Sequence, residues 1–588
     1  MSKKILLAIT SFIFLFCSTS LAGKYDRAKL LRERPICGNY YIESEAPITF
    51  NGNEMHLICG DPNVGAWQNI PESQARYNLK NFLQARGFNY PDFRKEGKKI
   101  IIAPGKRTRV KEIVIEGDHP KGLVMSRKRK IKNKPLTPSL LSTLNDWTAS
   151  ELRDIGYPCN KVDVSAEAYS GRILLKIDSG KFLNMPPVKE PELKEMDAAA
   201  FRRFDAFETG RPFYQQLLDL TTRRIEEDGI AQNAYFIDNC TPDGVEVEQK
   251  VSIGKPHLVI FGIGADTEEY IKGKVSWKHT RLDNRGSSVN VTATASYRLQ
   301  KLNTTLHWYA FKAPTRWNLA PSVFFERRNE TKFNYLQAGF NVYPNYKWDN
   351  QSIGVELNIG PQLSFFKTYK GANRDFTRYL SGYVELDVAS HDYEVFNYDP
   401  RSGFILTASG KFNSKYVLSD VSAQTMQLYG QWLWNVSDLD PPLLIVGVKG
   451  MIGTTIARRS DPNFGNLPPE FLFYLGGDAD LRGFHRLQLP ITYTGALTSA
   501  FTSFEVRLSN VLPAKLEPIA FADIGILGVD SMNFDYPAYW SPGAGLRLFS
   551  MIGVFRTTIS HGFMIKNDDP ANDPASHWQF FLSYGQEF

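Results

Sequence analysis

From His257 onward, apolar and polar positions alternate with a period of two. The cleanest row is Val289-Asn290-Val291-Thr292-Ala293-Thr294-Ala295-Ser296-Tyr297-Arg298-Leu299, where every odd position is apolar and every even one polar. Successive side chains of a strand point to opposite faces, so this spacing predicts strands with one face on lipid or a core and the other on water. The pattern returns at Leu336, Ala338, Phe340 and Val342, and again at Ile353, Val355, Leu357 and Ile359. Met426, Leu428, Gly430, Trp432 and Trp434 make a further row, and Trp578, Phe580, Leu582 and Tyr584 the last. Turn signals such as Asp283-Asn284-Arg285-Gly286 and Asp399-Pro400-Arg401-Ser402-Gly403 separate the rows.

Membrane-spanning strands need about 9–11 residues, and bacterial barrels use an even number of them. At roughly 20 residues per strand and connection, residues 255–588 predict an antiparallel barrel of about 16 strands. Aromatic residues make up 13% of the chain, more than a soluble sandwich needs. Tyr335, Tyr343, Trp348, Trp432, Trp434, Trp540 and Trp578 fall near strand ends, where interfacial girdles would place them. Phe588 closes the last alternating row, the kind of terminal aromatic that barrel-insertion machinery reads.

Ahead of the barrel the period changes. Residues 40–254 repeat one arrangement three times: a helix, a glycine stop, then two strands. In the first copy Met55–Cys59 reads as an opening strand. Ser73–Arg86 reads as an amphipathic helix with Leu79, Phe82 and Leu83 on one face, stopped at Gly87-Phe88. The second copy opens with the strand Val110–Gly117, has a helix over Pro138–Ile155 and ends in Arg172–Ile177. The third has a helix with Leu217, Leu218, Leu220 and Ile225, then Val245–Ile253. A period of about 70–75 residues is too long for a solenoid and suits small α/β modules strung in line. The expected organisation is a signal peptide at 1–22, modules at 23–106, 107–180 and 181–254, and the barrel at 255–588.

Lys3 and Lys4, the apolar run Ile5–Phe16 and the small-x-small site Ser20-Leu21-Ala22 form the signal peptide. No later stretch approaches the ~18 apolar residues of a spanning helix, so a membrane-embedded chain would have to be a closed barrel. The net charge of +7 is dispersed apart from Arg127–Lys130, read as a solvated run, and gives no case for nucleic acid. Cys37, Cys59, Cys159 and Cys240 remain after cleavage, all ahead of the barrel in an oxidising compartment. Cys37 with Cys59 suits one small domain, and Cys159 with Cys240 would tie neighbouring modules.

Two short motifs sharpen the picture. Leu481-Arg482-Gly483-Phe484 follows the Gly-rich approach Tyr474-Leu475-Gly476-Gly477. Phe521-Ala522-Asp523-Ile524-Gly525 comes later, with Phe504-Glu505-Val506-Arg507-Leu508 between them. With the modules, these resemble the outer-membrane assembly superfamily that includes BamA, TamA and the two-partner secretion transporters. Its modules are POTRA domains, and its V-R-G-F/Y motif tips a loop folded into the barrel lumen. Leu481 stands here for the usual Val. A guanidinium can pin such a loop by donating a fork of hydrogen bonds to carboxylates, so Arg482 is expected to pair with Asp523 and Glu505. Gly483 would let the tip turn. Three modules and this length resemble the TamA branch most; a plug in place of the first module would favour the secretion transporters.

The fold class expected is therefore mainly β: a transmembrane barrel of about 16 strands preceded by three POTRA-like modules. The resemblance implies an outer-membrane factor that inserts or exports outer-membrane and surface proteins. Its partners would be the outer-membrane lipid bilayer, extended clients and an inner-membrane-anchored component. Clients would engage the modules and the seam between the first strand (about His257–Gly264) and the last (about His577–Phe588). The alternatives are a two-partner-type secretion pore and a passive porin-like barrel with an interaction arm. Hydrolase and zinc-protease signatures are missing, and Gly262-Ile263-Gly264 lacks the third glycine of a dinucleotide loop. No enzyme, cofactor or metal is expected; Asp478 and Asp480 read as solvated loop carboxylates, because Arg482 occupies the next position of a calcium loop.

Overall fold

The computed structural model describes residues 35–44, 48–61, 70–125, 131–191, 193, 196–311, 315–371, 374–393, 400–436, 442–457, 467–512, 516–550, 553–565, 570–574 and 578–585. The signal segment Met1–Ala22, the basic run Arg127–Lys130, Asp399 and the terminal Phe588 lie outside the described residues.

The first module contains β1 (Tyr40–Ile42), α1 (Gly52–Cys59), α2 (Glu72–Gln84), β2 (Asp92–Glu96) and β3 (Lys99–Ala103). Its sheet runs β1-β3-β2, with β1 parallel to the central β3 and β2 antiparallel. Leu79 and Leu83 of α2 bury against Ile100 and Ile102, four residues apart on the helix and two on the strand. Met55–Cys59, expected to be a strand, is helical. The Asn51 side chain accepts the Glu54 N–H at 2.8 Å, and the Glu54 carboxylate accepts the Asn51 N–H at 2.8 Å. This capping box nucleates α1 over the short alternation of Met55 and Leu57. The opening strand lies earlier, and Cys37 is bonded to Cys59.

The second module repeats the order: β4 (Glu112–Gly117), α3 (Pro138–Arg153), β5 (Lys161–Glu167) and β6 (Arg172–Asp178). Its sheet is β4-β6-β5, again with the first strand parallel to the last. Thr137 caps α3 with Pro138 at its first position, a residue whose missing N–H costs nothing there. In the third module, α4 (Ala198–Arg202) and α5 (Gln215–Asp228) precede the hairpin β7 (Asn233–Thr241) and β8 (Gly244–Ser252). The opening strand is reduced to one parallel bridge, Lys189 to Glu248. Cys159 and Cys240 are bonded, joining the second module to the β7 hairpin.

The remaining chain closes an antiparallel barrel. Its strands are β9 (His257–Asp266), β10 (Tyr270–His279), β11 (Ser288–Ser296), β12 (Leu299–His307), β13 (Trp317–Asn329), β14 (Asn334–Asp349), β15 (Ile353–Lys370), β16 (Phe376–Ser390), β17 (Gly403–Asn413), β18 (Gln424–Asn435), β19 (Leu444–Ile456), β20 (Thr498–Leu508), β21 (Leu516–Gly528), β22 (Tyr539–Ser550), β23 (Gly553–His561), the two-residue β24 (Phe563–Met564) and β25 (Trp578–Gly585). Leaving β24 aside, 16 long strands lie among the described residues. They lengthen from 9 residues in β11 to 18 in β15, and β9 has 10.

Side-chain parity follows the alternation. Leu336 and Phe340 of β14 face outward, whereas Gln337 and Asn345 are buried inside. The same parity corrects the girdle assignment. Trp348, Trp432, Trp434, Trp540 and Trp578 are exposed on the outer surface, but Tyr335 and Tyr343 are odd-numbered on β14 and turn into the lumen. There the Tyr335 hydroxyl donates to Glu326 at 2.7 Å and the Tyr343 hydroxyl to Gln362 at 3.3 Å.

The third module's α5 is fixed to the barrel's near end. Arg224 donates from Nε to Asp349 at 2.7 Å, and Lys278 of β10 donates to the Asp228 carbonyl at 2.6 Å. The Arg203 guanidinium stacks 3.6 Å from the ring centre of Tyr309. Counting from this module end, the connection between β19 and β20 lies at the opposite end and folds back inside the barrel.

Candidate functional site: the lumen loop and the barrel seam

The segment between β19 and β20 carries Leu481-Arg482-Gly483-Phe484, and Arg482 is 1% exposed. Its Nε donates to Asp523 Oδ2 at 2.9 Å, one terminal nitrogen to Asp523 Oδ1 at 2.7 Å, and the other to Glu505 Oε2 at 2.8 Å. The Arg482 backbone N–H adds a bond to Asp523 Oδ2 at 3.1 Å. Glu505 and Asp523 lie on the neighbouring strands β20 and β21, where Ser503 stands opposite Asp523 in register. Ser503 Oγ donates to Asp523 Oδ1 at 2.7 Å and accepts from Arg482 at 2.9 Å. Arg507 pairs with Glu505 at 2.8 Å, so two guanidiniums face two carboxylates in a buried array. Such an array holds because each charge has both an opposite charge and hydrogen bonds.

The apolar neighbours fix the same tip. The guanidinium carbon of Arg482 lies 3.4 Å from the ring centre of Phe521. Gly525 leaves room for Leu481, whose Cδ1 would stand 2.8 Å from a Cβ there. Gly483 packs on the backbone of Gly562, and Phe484 meets Tyr539 edge-on at 5.4 Å. Ser560 of β23 donates to the Arg482 carbonyl. The structure thus brings Leu481, Arg482, Gly483, Phe484, Glu505, Phe521, Asp523 and Gly525 into one place.

Further anchors carry no motif. Glu470 accepts from Lys411, Tyr379 and Gln337 on the far wall. Arg486 reaches Glu330, Glu268 and Glu269. Asp478 and Asp480, expected to be solvated, are both engaged. Asp478 pairs with Arg556 of β23, and Asp480 accepts the N–H groups of Gly476 and Leu481. Burial raises the Asp480 carboxyl to about 6 despite those two donors. These anchors went unread because their partners sit on distant hairpins or carry common residue types. Between loop and wall remains a cavity of about 720 Å³ lined by polar groups including Asn341, Glu356 and Lys411.

Among the described residues, β25 and β9 share fewer register pairs than any other two neighbouring long strands of the barrel. β9 pairs with β10 along its whole length, from His257↔His279 to Asp266↔Tyr270. β25 pairs with β23 in the same way, from Trp578↔His561 to Gly585↔Val554. Among the described residues, the register pairs of β25 with β9 are Ser583↔Asp266 and Tyr584↔Ala265, with two further bonds: the Thr267 N–H donates to the Leu582 carbonyl at 3.0 Å, and the Leu582 N–H to the Thr267 hydroxyl at 3.4 Å. Trp578 and Phe580 stand beyond the tip of β9, 68% and 59% exposed, and Leu582 also faces outward. Tyr584 packs on Phe555, ring centres 4.4 Å apart. Along the rest of β9 both faces are apolar and exposed: Leu258 and Ile260 on one, Val259, Phe261 and Ile263 on the other. Strands whose edges carry such side chains recruit further strands.

A sequence profile described as the Omp85 superfamily domain matches residues 271–588. Among curated proteins, none matches this sequence. The crystal structure of BamA from Haemophilus ducreyi lacking POTRA domains 1–3 is 16% identical; the match covers 82% of this chain and 100% of that one, with a TM-score of 0.54. CdiB from Escherichia coli is 12% identical, covering 87% of this chain and 97% of that one, with a TM-score of 0.44. At such identities the BamA match bears on the fold alone, and its coverage runs past the barrel into the modules.

Proposed function

This chain belongs to the Omp85 superfamily, and from that premise we propose that it is a TamA-like factor that assembles outer-membrane proteins through its seam. The observation that carries the proposal is the seam itself: two described register pairs hold together strands that are fully paired on their other sides. An unpaired backbone group in hydrocarbon costs several kcal/mol, so an edge there gains strongly from any strand that adds to it. A client strand with alternating apolar positions would supply both the missing hydrogen bonds and cover for Phe261 and Ile263. Client folding is then the driving force, and no nucleotide is needed.

The loop supports passage by the seam rather than through the lumen. It is tied to opposite walls by Arg482 and Glu470, and a secretion route down the barrel axis would require all of these ties to break. The module sheets, with β1 and β2 or β4 and β5 at their edges, offer extended clients a first site of strand addition.

Ala265→Cys with Tyr584→Cys places the pair at facing register positions. Reconstituted in liposomes, the oxidised protein should lose insertion of a urea-unfolded barrel client, and reduction should restore it. Full activity in the locked form would sink the seam reading.

A further inference from the structure

The strongest unassigned cluster lies beside the only described closure of the seam. Arg486 follows the lumen tip by four residues. It donates from Nε and one terminal nitrogen to Glu330 at 3.1 and 2.9 Å, and it reaches Glu269 at 3.2 Å and Glu268 at 3.5 Å. Glu268 and Glu269 form the turn between β9 and β10, whereas Glu330 comes from the turn between β13 and β14. Arg298 braces the same group, donating to the Glu268 carbonyl at 2.6 Å and to Glu330 at 3.4 Å. The loop makes room for this contact with a glycine: a Cβ on Gly477 would stand 2.6 Å from Glu268 Oε1.

The turn continues directly into the seam. Glu268 and Glu269 each donate a backbone N–H to Asp266 Oδ1, at 2.9 and 2.5 Å. Asp266 is the register partner of Ser583, and Thr267, between Asp266 and Glu268, shares two bonds with Leu582. One guanidinium therefore grips the two residues that directly follow Thr267, where the described contacts between the β9 side and β25 end.

The geometry points to Arg486 as a positioning residue that clasps the β9–β10 tip and thereby holds the first strand against the last. The inference rests on the seam reading above and adds that the lumen loop controls how readily the seam parts. Charge-assisted hydrogen bonds to a partly exposed fork are strong enough to matter here, because the described bonds across the seam are few.

Hydrogen exchange of the full chain in lipid nanodiscs tests it without any client. In Arg486→Gln, the amides of Ala265–Thr267 should exchange roughly tenfold faster, with amides of β15 and β16 unchanged. Arg486→Lys, which keeps the charge but loses the fork, should fall between. Glu269→Gln should accelerate the same amides by less. Unchanged exchange at Ala265–Thr267 in Arg486→Gln overturns the inference. Uniform acceleration across the barrel in Arg486→Gln, with no local change in Glu269→Gln, overturns it as well. Neither result touches the locked-seam assay, so the clasp and the seam route fail separately.

Discussion

Replacing Arg482 with methionine keeps an unbranched apolar stem but removes the guanidinium and its charge. Asp523 is then left fully buried with only the Ser503 hydroxyl and one backbone N–H as donors. Glu505 suffers less, because Arg507 still faces it at 2.8 Å. Stranding one member of a buried ion pair costs about 3–5 kcal/mol, and loss of the stack on Phe521 adds roughly 1 kcal/mol. The cheaper response is for the tip to lift and let water reach Asp523, while Arg486 and Glu470 retain the flanks. At about 4 kcal/mol, amide exchange over Leu481–Phe484 should rise roughly a thousandfold. Adding Asp523→Asn should recover part of that, since the stranded charge is gone. High salt should not mimic the variant, because a buried pair is poorly screened. Exchange at the tip within roughly threefold of the parent, less than about 0.7 kcal/mol, would refute the reasoning.

Gly483→Ala would set a Cβ 2.5 Å from the Gly562 nitrogen and 2.6 Å from its Cα; neither backbone atom can move alone, so about 1–3 kcal/mol should be lost and tip exchange should accelerate. In the third module, burial first and Glu190 next push the Asp205 carboxyl up to about 7, against Arg202 and Arg224. A carboxyl raised in the folded state favours folding at low pH, so stability should fall as pH rises from about 4 to 7 and level off above. Thermal unfolding of Asp205→Asn should lose that slope; an equal slope in the variant would contradict the assignment. Removing the Cys159–Cys240 bond, which closes a loop of 81 residues in sequence separation, should cost up to about 4 kcal/mol and expose the joint between the second and third modules to limited proteolysis.

The barrel was legible because alternation is a local signal that every wall strand must carry when lipid and water lie on opposite sides. Arg482, Asp523 and Glu505 were legible because their motifs stand in a fixed order within 41 residues of one another. The Arg486 cluster was not, since its partners lie 156 to 218 residues away on turns whose sequence only says "polar". Tyr335 and Tyr343 were misplaced for a different reason. Aromatic type does not say which side of the wall a residue faces, whereas parity does, and a lumen filled by a loop accepts tyrosines whose hydroxyls find acceptors. The helix α1 is hidden in the sequence because its cap, Asn51 with Glu54, stands beside two alternating apolar residues, Met55 and Leu57, that imitate a strand.

The unequal strand lengths set the height of the wall around the barrel. A strand tilted by about 40° climbs roughly 2.5 Å along the membrane normal per residue. The 18 residues of β15 can therefore cover about 45 Å, whereas the 10 of β9 reach only about 25 Å, against a hydrocarbon layer of ~30 Å. Lipid beside the short side must compress or leave strand ends in its headgroups, and the strain is concentrated along the line where the seam lies. On the proposed seam route, a bilayer pinched there would present less apolar depth to a client hairpin crossing it. A short first strand beside the seam would then act on the lipid as well as on the wall, lowering the barrier that a client meets there.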